Sequence, residues 1–223
     1  MDKMIVYEDN VLLVVHKPVG IATETARVGQ ADLVSELKNY RKKKGEDTYI
    51  GVIHRLDQPV EGLLVFAKDA KTARKLGDEL RKGTLKKKYA ALAAGIVQAP
   101  EGKLTDYLLK DGRTNLSTVV AKETKGAKKA VLCWKLLRQK ESVSLLEIEL
   151  YTGRHHQIRV QMAHAGFPLL GDFKYGTAAS KELSNIFAVN STALLAYEVQ
   201  LMHPVTGRTM KFSLELDRFV KIF

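Results

Sequence analysis

The sequence predicts an α+β fold, with a mainly antiparallel mixed sheet and a few flanking helices. The first observation is that strand-like segments follow one another in runs, without the regular strand–helix alternation of parallel α/β proteins. The second is that several of these segments are short, apolar and bounded by glycine or proline. The third is that 45% of the residues are apolar and 27% are charged, a composition typical of globular domains.

The first half of the chain combines strands with two helices. Val11–Val15 has the sequence VLLVV and is followed by a proline and a glycine, which predicts a buried strand and a turn. Apolar residues at helical spacing predict a helix within Ala31–Lys44. Asp69 is the expected N-cap of a second helix, which ends at Gly83. Two further strands are expected on either side of a polar segment: Tyr49–Ile53 and Leu63–Ala67.

The second half of the chain is richer in strands. The expected strands are Lys88–Ala94, Ala130–Arg138, Val143–Tyr151, Thr192–Met202 and Thr209–Leu216. A helix is predicted over His155–Ala165, with Gly166 behind it. Lys110–Lys129 is polar and contains glycine, so it is expected to form a long loop or a hairpin insertion.

Composition excludes several classes of protein. The single cysteine, Cys133, excludes an internal disulfide and a cysteine-rich zinc module. No apolar run approaches the roughly 18 residues of a membrane span, and the N-terminus does not resemble a signal peptide. The formal net charge is +11, which predicts attraction to polyanions such as nucleic acid. We therefore expect a soluble, cytoplasmic protein.

A polar segment between two predicted strands is the first candidate for chemistry. It contains His54, Arg55 and Asp57, and loops held by rigid strands often carry catalytic groups. Partial desolvation would raise the pKa of Asp57, whereas a nearby guanidinium would keep it ionised and nucleophilic. The alternative is structural: an Arg55–Asp57 pair, or an Asx turn before Pro59.

The segment TGRHHQIRV is the second candidate, because it places a strand-to-helix turn beside several polar groups. Arg154, His156, Gln157 and Arg159 are suited to binding anions and base edges. We expect the helix to put Arg159 one turn beyond His155 on a shared face. His155, His156 and His164 lack the spacing of metal ligands, and the adjacent pair should diverge on a helix, so no metal site is predicted.

Basic tracts and one tyrosine form the third candidate. Tyr89 follows three lysines and could stack on a base, although a core tyrosine is the simpler interpretation of that motif alone. The tracts could be solvated faces, but their recurrence favours a surface that follows a phosphate backbone. They are Arg41–Lys44, Arg81–Lys88 and Lys122–Lys129. Glycine-rich phosphate loops and the GxSxG nucleophile motif do not occur.

Together these segments resemble the RluA-type pseudouridine synthases over nearly the whole chain. The similar segments are HRLD at His54–Asp57, GLLVFAK at Gly62–Lys68, the KxYxA strand at Lys87–Ala91, TGRHHQIRVQ at Thr152–Gln161, and the GxPLxGDxxYG segment at Gly166–Gly176. The opening Tyr7–Gly20 resembles the first strand and turn of the family. Several ordered motifs at compatible spacing make a chance match implausible.

The resemblance implies the pseudouridine synthase catalytic fold and the isomerisation of a specific uridine in structured RNA, either tRNA or rRNA. It assigns Asp57 as the catalytic carboxylate, Tyr89 as the ring that stacks on the uracil, and Arg159 as the partner of the carboxylate. We further expect His54, Arg55, Arg154 and Gln157 to bind substrate. A flipped-out nucleotide is expected in the pocket. Whether Asp57 attacks the ribose or the base stays open. No cofactor, metal or membrane partner is expected, and the resemblance implies a monomer.

The chain departs from the family at positions beside the catalytic residues. Val60 and Glu61 stand where members often have Thr-Ser, His155 where they usually have Thr, and Gln161 where they have His. These departures concern the choice of target more than the reaction. Many members carry a small N-terminal RNA-binding module, but here the matching pattern begins by Val6, so we expect a single catalytic domain over residues 1–223.

Two other functions fit some of these features. One is a non-catalytic RNA-binding protein on a synthase scaffold, which the intact set of Asp57, Tyr89 and Arg159 disfavours. The other is a metal-dependent nuclease, which the scarcity of clustered carboxylates disfavours.

Overall fold

A computed structural model gives the fold and describes residues 1–25 and 29–223, except for the side chain of Asp2. A short 3₁₀ turn at Asp2–Met4 precedes the first strand. The strands are β1 Ile5–Glu8, β2 Leu12–Lys17, β3 Gly51–Val52, β4 Glu61–Ala67, β5 Lys86–Ala94, β6 Glu101–Asp111, β7 Leu116–Val120, β8 Lys128–Lys140, β9 Val143–Leu150, β10 Leu194–Met202 and β11 Thr209–Ser213. The helices are α1 Leu33–Lys43, α2 Ala70–Lys82, α3 Gln157–His164, α4 Ala178–Ile186 and α5 Asp217–Val220.

The fold class is α+β, as the sequence predicts. Strands pair antiparallel in both units, for example β2 with β4 and β5 with β9. A parallel bridge joins Ala22 to Asp32. No described helix is long and apolar enough to cross a membrane.

The chain divides into two compact units. The first consists of Met1–Lys87 and Ala196–Glu215, and the second of Lys88–Leu195 and Leu216–Phe223. The strand order is β1-β2-β4-β10 in the first unit, where β3 also pairs with β4 and β11 with β10. In the second unit the order is β5-β9-β8-β6-β7. The expectation of a single catalytic domain stays a prediction.

The first unit is built on a core in which α2 packs against the sheet. Leu12, Val14 and Val65 are fully buried, and Leu76 of α2 joins the same cluster. The helix begins where predicted, because the Asp69 carboxylate accepts hydrogen bonds from the Thr72 amide at 2.8 Å and hydroxyl at 2.7 Å. It ends where predicted, because Gly83 adopts the left-handed conformation that a C-cap requires.

One glycine sits at the start of β4, just after the Asp57 loop. Gly62 has φ +142°, and a Cβ atom there would lie 2.5 Å from the Cβ of Ala196 on β10. Both the backbone conformation and the close approach of β10 therefore require glycine.

The second unit differs from the sequence prediction at β6, at the start of α3, and at α4 and α5, two helices that were not predicted. Strand β6 was not predicted, because its inward-facing Asp106 interrupts the alternation of apolar residues. Lys110–Lys129 forms a hairpin, since β7 pairs with β6, so that of the two structures predicted for this segment the hairpin is confirmed. Helix α3 begins at Gln157, two residues later than predicted, because His156 adopts the left-handed conformation with φ 53°.

Candidate active site

Asp57 lies in an irregular loop of the first unit, between β3 and β4. The Val60 amide donates a hydrogen bond to the Asp57 carbonyl at 3.0 Å and closes a turn over Pro59. The predicted position, a polar loop at the end of a strand, is confirmed. Catalytic groups are commonly carried in this way, on a loop held by rigid strands.

A buried lysine at the end of β2 holds this loop. The Lys17 ammonium is fully buried and donates hydrogen bonds to the carbonyls of Pro18 at 2.9 Å, Ile21 at 2.8 Å and Gln58 at 3.2 Å. Burial lowers the pKa of Lys17 from 10.5 to about 8, against the opposing effect of the negative charges on Asp57 and Glu61. The Lys17 ammonium therefore links the turn after β2 to Gln58, the residue that follows Asp57.

Further hydrogen bonds fix the loop on both sides of Asp57. On the N-terminal side, the Thr23 hydroxyl donates to the Leu56 carbonyl at 2.9 Å and accepts from the Leu56 amide at 3.2 Å. On the C-terminal side, the Gln58 side chain donates to the Gly20 carbonyl at 2.8 Å, and the Gly20 amide donates to the Gln58 carbonyl at 2.9 Å. The backbone at Asp57 is thus held in place before any substrate binds.

His54 is buried and neutral. The Val65 amide donates to its Nε2 at 3.4 Å, so the proton lies on Nδ1. Burial, and to a lesser extent the charge of Lys87, holds the pKa of His54 well below 6.5. Burial also lowers the pKa of Lys87 to about 8. Within the part of the chain that the structure describes, His54 Nδ1 has no hydrogen-bond partner. Contact between His54 and substrate stays a prediction.

Arg55 is directed outward. Its side chain is 73% exposed, and its guanidinium lies 3.9 Å from the Glu24 carboxylate. A contact at that distance between exposed groups is weak, so the guanidinium can exchange it for a phosphate or a base. The predicted role of Arg55 in substrate binding fits this exposure and stays a prediction.

Arg159 lies in the second unit, where Asp172 fixes its guanidinium. Nε and Nη2 each donate to a carboxylate oxygen of Asp172 at 2.7 Å, and both side chains are buried. The guanidinium also lies 5.3 Å from the centre of the Tyr175 ring. A bidentate pair of this kind fixes the orientation of the guanidinium. The predicted pairing of Arg159 with Asp57 stays a prediction.

Gln157 and Arg154 form part of the turn that leads into α3. The Gln157 side-chain oxygen accepts hydrogen bonds from the Thr152 hydroxyl at 2.8 Å and the Arg154 amide at 2.9 Å. Its nitrogen donates to the Val131 carbonyl at 3.1 Å. The exposed Arg154 donates through Nε to the Lys129 carbonyl at 2.9 Å. These contacts bring the two residues together, and their binding of substrate stays a prediction.

His155 and His156 correct two expectations. Both residues precede α3, so Arg159 does not share a helix face with His155. The two imidazoles do not diverge but stack at 3.7 Å, because His156 is left-handed. His155 Nδ1 lies 2.9 Å from the Ser117 hydroxyl on β7. No group of three metal-ligating side chains occurs among the described residues.

Gln161, which stands where the resembling family has histidine, is fully buried. Its side-chain nitrogen donates to Asp106 at 2.6 Å. Its oxygen has no hydrogen-bond partner among residues 1–25 and 29–223. The replacement therefore links α3 to β6 through a polar contact inside the second unit.

Tyr89 lies on β5 and is only 4% exposed. It is paired across the sheet with Ile148 of β9. The strand assignment is confirmed. This burial fits either a tyrosine of the core or a ring at the base of a pocket, so the stacking role stays a prediction.

Comparison with known proteins identifies the family. A family model described as RNA pseudouridylate synthase matches residues 11–164, a stretch that includes Asp57, Tyr89 and Arg159. The chain belongs to the RNA pseudouridylate synthase family. This confirms the resemblance drawn from the motifs.

Relatives agree with the assignment to the pseudouridylate synthases, and a solved structure shows the same fold. The chain is 38% identical over 205 residues to the uncharacterized RNA pseudouridine synthase YhcT of Bacillus subtilis, covering 91% of this chain and 65% of that protein. It is 32% identical over 218 residues to ribosomal large subunit pseudouridine synthase C of Buchnera aphidicola, covering 97% and 68%. Human RNA pseudouridylate synthase domain containing 4 has the same fold, with a TM-score of 0.79 at 24% identity, covering 99% of this chain and 91% of that one.

Two residues that support the candidate site were not predicted from the sequence. Lys17 lies in the Tyr7–Gly20 segment that resembles the family, and a lysine at the end of a strand that begins with four apolar residues is a usable signal of a buried cation. Asp172 lies in the Gly166–Gly176 segment, and its partner Arg159 is 13 residues away. Contacts between segments that are distant in sequence carry no local pattern.

Proposed function

We propose that the protein is an RNA pseudouridine synthase that isomerises a specific uridine in structured RNA, with Asp57 as the nucleophile. The observation that carries this proposal is that one family match includes Asp57, Tyr89 and Arg159. The loop around Asp57 supports it, since Lys17 and Thr23 hold the backbone there before substrate arrives. Because the chain spans only 65% of the length of the Bacillus relative, the activity of the whole protein is part of the proposal.

The proposed chemistry is a rearrangement without net oxidation. The bond between C1′ of the ribose and N1 of the uracil breaks, and a bond between C1′ and C5 forms. N1 gains a proton and C5 loses one, so atoms and electrons balance within the nucleotide and water. Asp57 attacks either C1′ or the base, and both routes need an ionised carboxylate.

The other predicted residues have roles that follow from their chemistry. Tyr89 stacks on the uracil of the flipped-out nucleotide. Arg159, already oriented by Asp172, keeps Asp57 ionised through a charge-assisted contact. The exposed Arg55 and Arg154 contact the RNA backbone or bases, and His54 and Gln157 complete the binding set.

Ribosomal RNA is the first substrate to test. Relatives are named as ribosomal large subunit pseudouridine synthases, which supports large-subunit rRNA over tRNA. A cytoplasmic location and a monomeric state belong to the same proposal, as does a single catalytic domain made of both units.

The test is to map pseudouridine in unmodified large-subunit rRNA after incubation with the purified protein, using carbodiimide adducts and primer extension. We expect one or a few new stops with the wild type and none with Asp57→Asn, which still binds the RNA. Asp57→Asn changes the carboxylate to an amide of nearly equal size, so the loop held by Lys17 is preserved. RNA binding by the wild type without any pseudouridine would instead support a non-catalytic RNA-binding protein.

A further inference from the structure

The second unit contains a pocket that is lined by none of the predicted site residues. It lies between β7 and α3, is completed by residues 174 and 175, and has a volume of about 300 Å³. This volume is at the lower end of the range for small-molecule sites. All of its lining residues belong to the second unit. The size suits a ligand no larger than one nucleotide.

The walls of the pocket are fixed by hydrogen bonds. The Ser117 amide donates to the Tyr175 hydroxyl at 2.8 Å, and that hydroxyl lies 2.7 Å from His156 Nδ1. The Ser117 hydroxyl lies 2.9 Å from His155 Nδ1. Ser117 is 2% exposed, and its partners Tyr175 and His155 are half-buried. Such a pocket is preformed and binds a ligand at little cost in conformational entropy.

The floor of the pocket is apolar. Val119, Val160 and Tyr175 line it, and they pack on a small cluster that includes Leu108 and Ala130. Ala163 of α3 lines it as well. An apolar surface that includes an aromatic ring favours the face of a nucleobase over a charged group.

The rim of the pocket is polar and basic. Lys174 is exposed, and its ammonium donates to the Asn115 carbonyl at 3.2 Å, which keeps it near the end of β7. An ammonium carries three protons, so this contact leaves donors for an anion. His164 and the exposed Thr118 add further hydrogen-bonding groups. A cation at the edge of an apolar floor matches a nucleotide, whose phosphate is joined to a flat base.

We propose that this pocket binds one unpaired nucleotide of the substrate RNA, distinct from the uridine that is modified. The proposal rests on the proposed function for the presence of RNA. The base lies on the apolar floor and the phosphate meets Lys174. The net charge of +11 brings polyanions to the protein, but the pocket supplies a contact that requires a base as well as a phosphate.

Tyr175 connects the pocket to Arg159, the predicted partner of Asp57. Tyr175 lines the pocket, and its ring also lies 5.3 Å from the Arg159 guanidinium. The Tyr175 amide donates to Asp172 at 3.2 Å, and Asp172 orients Arg159. A nucleotide in the pocket therefore contacts a residue that supports Arg159, so RNAs with an unpaired nucleotide at this place are better substrates than those without one.

The first experiment is an NMR titration of the full chain with adenosine 5′-monophosphate, uridine 5′-monophosphate or inorganic phosphate. We expect both mononucleotides to shift the amide signals of Ser117, Val119 and Ala163, and phosphate at equal concentration to leave them unchanged. Ala163→Leu fills the pocket with a helix-compatible side chain and removes the shifts. Lys174→Gln weakens mononucleotide binding about tenfold, as expected for the loss of one charge-assisted hydrogen bond. The matched control Lys181→Gln, an exposed lysine on α4, binds like the wild type.

The second experiment measures kcat/KM for RNA. Ala163→Leu lowers it about tenfold, in line with the loss of one stacked base, whereas Lys181→Gln does not. No shift with either mononucleotide, shifts that survive Ala163→Leu, or equal shifts with phosphate alone would overturn the proposal. If the wild type forms no pseudouridine, the proposed function fails, but the titration still decides whether the pocket binds a nucleotide.

Discussion

Tyr89 is 4% exposed on β5, and two substitutions separate its possible roles. Tyr89→Phe keeps the ring and removes only the hydroxyl, whereas Tyr89→Ala removes the stacking surface. Because a stacked base contributes about 1–3 kcal/mol, we expect Tyr89→Ala to lose about tenfold or more in kcat/KM and Tyr89→Phe to stay near the parent. The measurement is steady-state pseudouridine formation on the mapped RNA.

The control for Tyr89 addresses stability, since a core tyrosine also supports the sheet. Leu145→Ala, three positions before Ile148 and therefore on the opposite face of β9 from Tyr89, creates a cavity without touching the proposed stacking surface. It should lower the melting temperature while kcat/KM, measured well below that temperature, is retained. If Tyr89→Phe and Tyr89→Ala behave alike, stacking is not the role of this ring.

Individual site residues could be predicted from the sequence where they belong to a motif that resembles the family. Asp57, Tyr89 and Arg159 were found because their motifs are ordered and contiguous. The residues that support them were not predictable. Lys17, for example, donates a hydrogen bond to the carbonyl of Gln58, which is 41 positions away in the sequence. The left-handed His156 was also missed, since a non-glycine residue in that conformation leaves no mark in the sequence.

The Asp57 loop and its anchor on β2 make a prediction at the level of the element. Lys17 has a pKa of about 8 in the folded protein and an ordinary value of 10.5. Between these values the unfolded chain holds the proton that the folded protein has released, so unfolding takes up a proton and a rise in pH stabilises the fold. Relative to Lys17→Met, the wild type should therefore gain stability as the pH rises from about 8 to 10.5.

The measurement is the free energy of unfolding in urea at several pH values for the wild type, Lys17→Met and Lys103→Met. Lys103 is an exposed lysine on β6, so its replacement should leave the pH dependence unchanged. If the free energies of unfolding of the wild type and Lys17→Met differed by the same amount from pH 8 to pH 10.5, the pKa of Lys17 would not be lowered by burial.

Elements with a regular pattern were predictable, and irregular ones were not. Helix α2 agrees with its predicted ends because Asp69 and Gly83 act locally. Strand β6 was not predicted because Asp106 faces inward. The inward-facing carboxylate accepts a hydrogen bond from Gln161, which is 55 residues away in the sequence. The tract Arg41–Lys44 was expected on the surface, yet Arg41 is buried, with its guanidinium donating to the Lys68 carbonyl at 3.0 Å.

At the scale of the whole molecule, the net charge of +11 predicts strongly salt-dependent RNA binding. Arg81, Lys82 and Lys86 are exposed members of one basic tract. If each contacts a phosphate, replacing all three by glutamine flattens the slope of log K against log salt by about 2–3. The rate of reaction on RNA that is already bound should change little, because phosphate contacts position the RNA and do not carry out the chemistry.

The control for charge is a second triple variant, in which the exposed Lys103, Lys135 and Lys181 are replaced by glutamine. It has the same net charge but lies outside the basic tracts. Equal slopes for the two triple variants would show that the tract acts only through overall charge and is not a docking surface.

The central claim is that Asp57 carries out the isomerisation, and the loss of tritium from C5 of uridine measures that step. Large-subunit rRNA transcribed with 5-tritiated uridine is bound to excess protein, so that every target is occupied in a single turnover. We expect the wild type to release one tritium for each pseudouridine formed, and Asp57→Asn to release none while binding the RNA as tightly. Release by Asp57→Asn at a rate near that of the wild type would contradict the claim.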